Sequence, residues 1–214
     1  MFDIPEKALL NRRIPKVKFY KQIGMDTKLK KKFIDEIEAI NWKYKLSQET
    51  TNLRPAAGIE EIQIFEINLK GKHISNEILE NIDRVIPYPI LFILKYDKDT
   101  KLAIAYKEKN KVDENKMVVH SYHESGWERE HKIDIFKGLS IKDVYDNLIR
   151  QLISVEDVRE DSIERLIELS EKQENFKKEI GRLEKRVKKE KQFDRKVNLN
   201  IELQERRKEL EELL

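Results

Sequence analysis

The sequence predicts an α+β protein in which a mixed or mostly antiparallel sheet with flanking helices precedes a C-terminal helical hairpin or coiled coil. Segments with strand-like alternation cluster between residues 40 and 136, and segments with helical spacing bracket them. That order is typical of α+β proteins and not of doubly wound sheets, in which strands and helices alternate. From residue 156 onward the chain contains no proline and one glycine, so we expect a folded domain over residues 1–155 and a helical extension over 156–214.

The first forty residues predict two helices with an extended segment between them. Two prolines delimit a short helix over residues 4–15. The segment IPKVKFYKQI, residues 14–23, alternates between lysine and apolar side chains from Lys16 onward, which favours extended backbone. Asp26 or Thr27 can cap a helix over residues 28–40, because apolar side chains recur there at steps of four and three, at Leu29, Phe33, Ile37 and Ile40.

Six segments have the length and composition of strands. Residues 90–96 are too apolar for a half-exposed strand, so they should lie centrally, and a turn at 97–100 leads into a hairpin. In residues 60–70 the apolar residues occupy even-numbered positions up to Ile64 and odd-numbered positions after it. This change predicts either a strand that is buried on both faces or a bulge near Ile64. The predicted strands are 40–47, 60–70, 90–96, 102–109, 117–124 and 131–136.

Two serines predict where the remaining helices of the domain begin. Ser75 can cap a helix that ends near Val85, and Ser140 can cap a helix over residues 141–153. Residues 47–58 are polar and contain both proline and glycine, so they predict a loop.

The C-terminal extension has the sparse apolar stripe of a coiled coil, whose three- and four-residue steps keep one narrow face toward a partner helix. The stripe loses its register near residues 192–198, so we expect a helical hairpin. One long helix in a dimer is the alternative, and two hairpins could also pair as a four-helix bundle. The predicted interface is Leu166, Leu169, Phe176, Ile180, Leu183 and Val187, with Gln173 in the polar slot. The returning helix would contribute Phe193, Val197, Leu203, Leu210 and Leu214.

Composition limits the classes of function and the compartment. The 214 residues include no cysteine, which excludes disulfides, cysteine-ligated zinc, iron–sulfur clusters and a cysteine nucleophile. The N-terminal segment lacks the apolar core of a signal peptide, and the longest apolar run, near residues 90–94, is too short to cross a bilayer. We therefore expect a cytoplasmic protein without membrane contact.

The net charge of +3 conceals two basic segments that flank a mildly acidic body. Residues 1–32 contain ten basic and three acidic side chains, and residues 177–196 contain ten and four. Such segments attract nucleic-acid phosphates through counterion release, although a solvated lysine-rich surface without a ligand has the same composition. The residues predicted to contact phosphate are Lys16, Lys18, Lys30, Lys31, Lys32, Lys185, Arg186, Lys188 and Lys189.

Aromatic residues interleaved with lysine could stack on bases, although packing in a core or an interface is their commoner use. The residues in question are Phe19, Tyr20, Trp42 and Tyr44. Within strand 40–47 we expect Trp42, Tyr44 and Leu46 to share one face.

A metal-dependent nuclease is an alternative to a protein that only binds nucleic acid. Glu60 or Glu61, then Glu66 and Lys70, lie along one predicted strand. In nuclease cores two acids hold a divalent cation while a lysine positions the attacking water. The spacing departs from that pattern, because the residue two positions beyond Glu66 is Asn68. No catalytic residue is therefore assigned, and Glu61, Glu66 and Lys70 are kept as the alternative.

No metal site and no cofactor are expected. His120 and His123 lie three positions apart on a predicted strand and should point to opposite faces, so they cannot both bind one ion. Adding Glu124 and His131 gives no recognised ligand spacing. The GKHIS segment at residues 71–75 lacks the upstream glycine of a phosphate-binding loop, and no serine has the context of a nucleophile elbow.

Several segments together resemble a known family. They are IPKVKFY, INWKYKLSQETTNL, EEIQIFEINLK, IDRVIPYPILFIL and the charged C-terminal stretch that begins LEKRVKKEKQF. The family comprises uncharacterised bacterial and archaeal proteins and is described as a domain of unknown function. The resemblance covers nearly the whole chain and implies a gene placed beside helicase and DNA methyltransferase genes, in restriction- or phage-defence-like clusters. It supplies no catalytic residues.

These observations together favour a non-catalytic accessory or assembly subunit of a DNA-processing complex of the restriction or phage-defence kind. It would bind DNA or RNA through the basic segments. Through the coiled coil it would bind a second copy or a helical partner, such as the helicase or the methyltransferase. The alternatives are an active or degenerate metal-dependent nuclease and a pure oligomerisation adaptor.

Overall fold

The computed structural model describes residues 3–23, 25–109, 117–153 and 162–213 of the chain. These residues form the predicted α+β architecture, with a mixed six-stranded sheet, flanking helices and a pair of long C-terminal helices. The chain divides into two compact units, Met1–Leu152 and Ile153–Leu214, which we call the sheet unit and the helix-pair unit.

Six strands lie side by side in sequence order in the sheet unit. They are β1 (Leu9–Arg13), β2 (Ile37–Ser47), β3 (Glu61–Leu69), β4 (Ile90–Tyr96), β5 (Asp99–Lys109) and β6 (Met117–Glu124). The helices of this unit are a 3-10 helix (Glu6–Ala8), α1 (Val17–Ile23), α2 (Thr27–Glu36), α3 (Gln48–Thr51), α4 (Asn76–Val85) and α5 (Ile141–Leu152). β3 and β4 are parallel and are connected through α4, since parallel neighbours need a crossover. The other neighbouring pairs are antiparallel.

Helices cover both faces of the sheet because its central strands are apolar on both sides. On one face Phe33 of α2, Leu79 of α4 and Phe65 of β3 belong to one buried cluster. On the other face Tyr145 of α5 stacks on Tyr106 of β5, with ring centroids 6.1 Å apart. The first five residues of β4 are buried, which confirms its predicted central position.

β3 is buried on both faces, and the bulge lies in the neighbouring strand β2. Residues 62–65 are all buried, which explains the change of parity in the sequence. The register of β2 shifts between Trp42 and Tyr44, which pair with Phe65 and Ile64 respectively. Because Phe65 and Ile64 are neighbours, they point to opposite faces, and so do their partners. The prediction that Trp42 and Tyr44 share a face is therefore wrong.

Two predictions near the N-terminus are also wrong. Residues 4–15 form the 3-10 helix and then β1, whose residues are all exposed at the edge of the sheet. An exposed edge strand needs no apolar alternation, so its sequence favours a helix as readily as a strand. Residues 16–23 form α1 in place of extended backbone, and Phe19 and Tyr20 both pack on Phe33, with centroids 6.2 and 5.8 Å away. Adjacent residues of a strand point to opposite faces and could not do this.

α2 ends at Glu36, whereas the apolar spacing predicts a helix to Ile40. The ammonium groups of Lys16 and Lys70 donate to carbonyl oxygens of its last turn. Such donors satisfy carbonyl groups that a helix end leaves without an intrahelical partner. Ile37 and Ile40 then become buried residues of β2.

α4 and α5 lie near their predicted positions and follow Ser75 and Ser140. Residues 47–58, predicted as a loop, contain the four-residue helix α3. Residues 131–136, predicted as a strand, form none. The Gln151 side chain of α5 bonds instead to the backbone N–H and C=O of Asp134. These bonds occupy the groups that a neighbouring strand would otherwise pair.

The helix-pair unit consists of α6 (Ile163–Lys189) and α7 (Phe193–Glu211). The Gln173 amide donates to the Leu213 carbonyl at 2.9 Å, so the first half of α6 lies beside the end of α7. Arg206 and Arg207 of α7 pair with acidic residues in the second half of α6. The predicted helical hairpin is confirmed, and the alternative of one continuous helix is wrong.

The predicted stripe lies along α6, but the returning helix buries only part of its predicted set. The stripe contains two buried and four half-buried residues, which are Leu166 and Leu183, and Leu169, Phe176, Ile180 and Val187. On α7 Leu203 is buried, whereas Phe193 and Val197 are 79% and 40% exposed. Leu214 lies outside the described residues.

Candidate nucleic-acid interface

Basic side chains are concentrated where α6 ends and α7 begins. Seven cations within residues 185–196 are exposed. In the part of the chain that the structure describes, none of these seven forms a salt bridge. We call them the basic tip: Lys185, Arg186, Lys188, Lys189, Lys191, Arg195 and Lys196.

Three of the four acidic residues within residues 179–194 have partners within the helix pair. Glu179 and Glu184 pair with Arg206 and Arg207 of α7, at N–O distances of 3.3 and 2.8 Å. Glu190 accepts a hydrogen bond from the backbone N–H of Gln192, and that bond lowers the pKa of its carboxyl. Asp194 lies in the first turn of α7, where the helix dipole stabilises a negative charge. With seven cations and two acids, residues 185–196 keep an excess of five positive charges.

Three of the basic residues predicted in the sheet unit are exposed. Lys18 of α1 and Lys31 of α2 form no salt bridge with any residue that the structure describes. The Lys30 ammonium lies 5.4 Å from the ring centroid of Tyr20, which is a cation–π distance. These three ammonium groups are accessible to a phosphate.

Lys16 and Lys32 already have partners in the protein. Lys16 donates to two carbonyl oxygens at the end of α2, at 2.7 and 3.3 Å. Burial lowers the pKa of Lys16, and the positive charges of Lys70 and Arg13 lower it further. Lys32 pairs with Glu77 at 2.5 Å. Contact of these two lysines with phosphate stays a prediction, and it requires them to exchange partners.

The residues of the nuclease alternative do not converge. Glu61 and Glu66 are an odd number of positions apart on β3, so their side chains point to opposite faces. Glu66 lies between Lys43 and Lys95, at 3.8 and 3.6 Å, and the Lys70 ammonium donates to a carbonyl of α2 at 2.7 Å. Among the described residues, no group of three or more histidine, aspartate or glutamate side chains could hold a metal ion.

The two histidines of β6 lie on one face of the sheet, contrary to the prediction. His123 pairs with Ile104, and the His120 ring lies 5.6 Å from the ring of Tyr106. Ile104 and Tyr106 are two positions apart on β5 and so share a face. A bulge in the β5–β6 register between these contacts removes the expected alternation.

A buried polar cluster at the end of α4 was not found from the sequence. The Lys107 ammonium donates to the carbonyl oxygens of Asp83, Ile86 and Tyr88 at 2.8 to 3.0 Å and pairs with the Asp83 carboxylate at 2.5 Å. The Tyr122 hydroxyl donates to the same carboxylate. Burial raises the pKa of Asp83 and lowers that of Lys107. The one signal of this cluster in the sequence is a lysine directly after an apolar run in a strand. The contacts of this lysine join β5 to the end of α4, so we assign the cluster a structural role.

The chain matches a protein family described as a domain of unknown function (DUF4391) over residues 2–210. No curated protein and no solved structure gives a significant match. No helix among the described residues is both long enough and apolar enough to cross a membrane.

Proposed function

We propose that this chain, which belongs to the DUF4391 family, is a non-catalytic accessory subunit that binds nucleic acid through the basic tip of its helix pair. One observation carries the proposal: seven exposed cations form no salt bridge among the described residues, while nearby acids are paired within the helix pair. Each lysine or arginine that contacts a phosphate releases condensed counterions, so such a cluster binds DNA or RNA without reading sequence.

The proposed setting is a cytoplasmic DNA-processing complex of the restriction or phage-defence kind, with a helicase or a methyltransferase as partner. This part rests on the gene neighbourhood that the family resemblance implies. Assembly would involve the helix pair, through a coiled-coil contact with a second copy or with a helix of the partner. Phe193, Val197 and Ile201 support it, because they recur at four-residue steps on α7 and are 79%, 40% and 54% exposed.

The test is the substitution K185E/R186E/K188E/K189E in the full chain. Fluorescence polarisation with labelled single- and double-stranded DNA and RNA, over a salt series, measures affinity and its salt dependence. We expect wild-type binding to weaken with salt, and the slope of log affinity against log salt to fall by roughly 4 in the variant, about one unit per lost phosphate contact.

A matched control tests whether binding depends on the position of the charges or only on their number. K98E/R129E/K132E/K137E changes the net charge equally, and these four cations are exposed in the sheet unit. We expect the control to bind as the wild type does. Equal loss of binding in both variants would contradict a site at the basic tip.

Two outcomes would favour the alternative functions. Absence of wild-type binding to any nucleic acid at low salt would leave the oligomerisation adaptor. Magnesium-dependent cleavage that Glu66→Ala abolishes would favour the nuclease, although Glu61 and Glu66 point to opposite faces of the sheet.

A further inference from the structure

A pocket of about 290 Å³ lies in the sheet unit between α1, the end of α4 and the first three strands. Its walls include four aromatic side chains, of which Phe19 and Phe65 are almost completely buried. Trp42 is half-buried, and its ring lies 6.4 Å from that of Phe65. The aromatic residues that line the pocket are Phe19, Trp42, Phe65 and Tyr88. Flat aromatic walls suit a planar ligand that can stack.

Three basic side chains also line this pocket. Arg12 and Arg13 come from β1, and Lys18 comes from α1. All three are exposed, and none forms a salt bridge among the described residues. A ligand with an anionic group is therefore favoured, and guanidinium groups suit phosphate because they can donate two parallel hydrogen bonds.

Two polar side chains of β3 on the wall of the pocket offer hydrogen-bond acceptors. Gln63 is 3% exposed, and its amide nitrogen donates to the Glu61 carboxylate, which leaves the amide oxygen as an acceptor. That oxygen is buried and has no hydrogen-bond partner among the described residues. Glu61 also pairs with Lys45 at 2.7 Å, but a carboxylate accepts about four hydrogen bonds, so it has capacity left for a ligand. An unsatisfied buried acceptor is costly, so a ligand that brings donors would be stabilised here.

We propose that this pocket binds a guanine nucleotide. The base would stack on the aromatic wall, its exocyclic amino group would donate to Glu61, and its ring N–H would donate to the Gln63 oxygen. The phosphate would contact Arg12, Arg13 or Lys18. Guanine presents two adjacent donors on one edge, whereas uracil and hypoxanthine present one, so the acceptor pair favours guanine. The same chemistry is offered by a free nucleotide and by one nucleotide of a strand.

Tryptophan fluorescence can test this directly. The chain has two tryptophans, and Trp127 lies elsewhere, beneath the Lys72 ammonium, so Trp127→Phe leaves Trp42 as the single reporter. We expect saturable quenching of Trp42 by GMP. IMP, which lacks the exocyclic amino group, should bind roughly tenfold more weakly, the effect of one lost hydrogen bond in a base-reading site. Comparing ligands on one protein removes any dependence on whether a variant folds.

Substitution of the acceptor then tests the assignment to Glu61. Glu61→Gln should remove the preference for GMP over IMP, because an amide nitrogen replaces one carboxylate oxygen. The neighbouring Glu60 is exposed and does not line this pocket, so Glu60→Gln is the matched control and should keep the preference.

The source of the nucleotide follows from a comparison of GMP with an oligothymidine strand that contains one guanine. Quenching by GMP alone assigns a free nucleotide, and quenching by the strand alone assigns a base within nucleic acid. Equal quenching by GMP, IMP and UMP, or no saturable quenching by any of these ligands, would overturn the proposal. The K185E/R186E/K188E/K189E variant should keep the GMP response, so failure of this proposal and failure of the basic-tip proposal are distinguishable.

Discussion

Lys107 joins β5 to the end of α4 through one ammonium group. Its side chain is fully buried, and its donors reach three carbonyl oxygens and the Asp83 carboxylate. Taking both ions out of water costs free energy, which raises the pKa of Asp83 and lowers that of Lys107. Attraction within the pair offsets that cost only while both partners are present.

Removing the Lys107 ammonium should therefore lower the free energy of unfolding more than neutralising Asp83 does. Lys107→Met should lower the free energy of unfolding by about 3 to 5 kcal/mol, because the buried Asp83 carboxylate loses its cation and three carbonyl groups lose their donor. Asp83→Asn should cost less, since Lys107 keeps its carbonyl acceptors and the Tyr122 hydroxyl keeps an acceptor. Urea unfolding at pH 7, followed by circular dichroism, measures both changes. A larger loss for Asp83→Asn would contradict this account of the cluster.

At the scale of single elements, α5 begins with a reciprocal pair of hydrogen bonds. The Leu139 N–H donates to the Asp143 carboxylate, and the Asp143 N–H donates to the Ser140 hydroxyl, each at 3.2 Å. Hydrogen bonding with the Ser140 side chain holds the pKa of Asp143 below its ordinary value, and the backbone N–H groups of Leu139 and Ser140 add to this. The arrangement is an N-terminal cap that depends on charge.

Asp143→Asn should therefore change stability in a pH-dependent way. A carboxyl group whose pKa is lower in the folded state stabilises the fold above the unfolded pKa of about 3.9, and this contribution is lost as the pH falls through the folded value. The difference between wild type and variant should be largest near neutral pH, at roughly 0.5 to 1 kcal/mol for a solvent-screened cap, and should vanish in acid. Urea midpoints over a pH series measure it. A difference that stayed constant with pH would exclude the charge as its cause.

At the scale of the whole molecule, the sheet unit has its own buried core. Residues of α2, α4 and the central strands form one cluster within residues 1–152. A unit with such a core can fold by itself. The predicted domains, 1–155 and 156–214, are therefore expected to be separable.

A chain of residues 1–155 should unfold cooperatively and should keep the Trp42 response to GMP, while losing the salt-dependent nucleic-acid binding assigned to the basic tip. Thermal unfolding followed by circular dichroism, together with the two binding assays, measures these properties. A truncated chain without a cooperative transition would contradict the separation. Retained salt-dependent binding with the full slope would place the nucleic-acid site in the sheet unit.

The sequence determined the parts of this fold that depend on local pattern. Residues 90–96 are apolar enough to require a central strand, and the spacing after Ser75 and Ser140 is that of amphipathic helices. Loss of the apolar register after Val187 predicted the helical hairpin. The basic tip could also be located from the sequence, because its charges are consecutive along the chain.

Only the tertiary structure decided the features that depend on residues distant in sequence. The helical backbone of residues 16–23 lets two adjacent side chains, Phe19 and Tyr20, both pack on Phe33. One register shift in β2 places Trp42 and Tyr44 on opposite faces of the sheet. Likewise, two arginines of α7, Arg206 and Arg207, form salt bridges with acidic residues of α6. The pocket brings cations of β1 and α1 close to the acceptors Glu61 and Gln63 of β3. Such contacts leave no periodic signal, because local spacing records which face of an element is apolar and not which partner covers it.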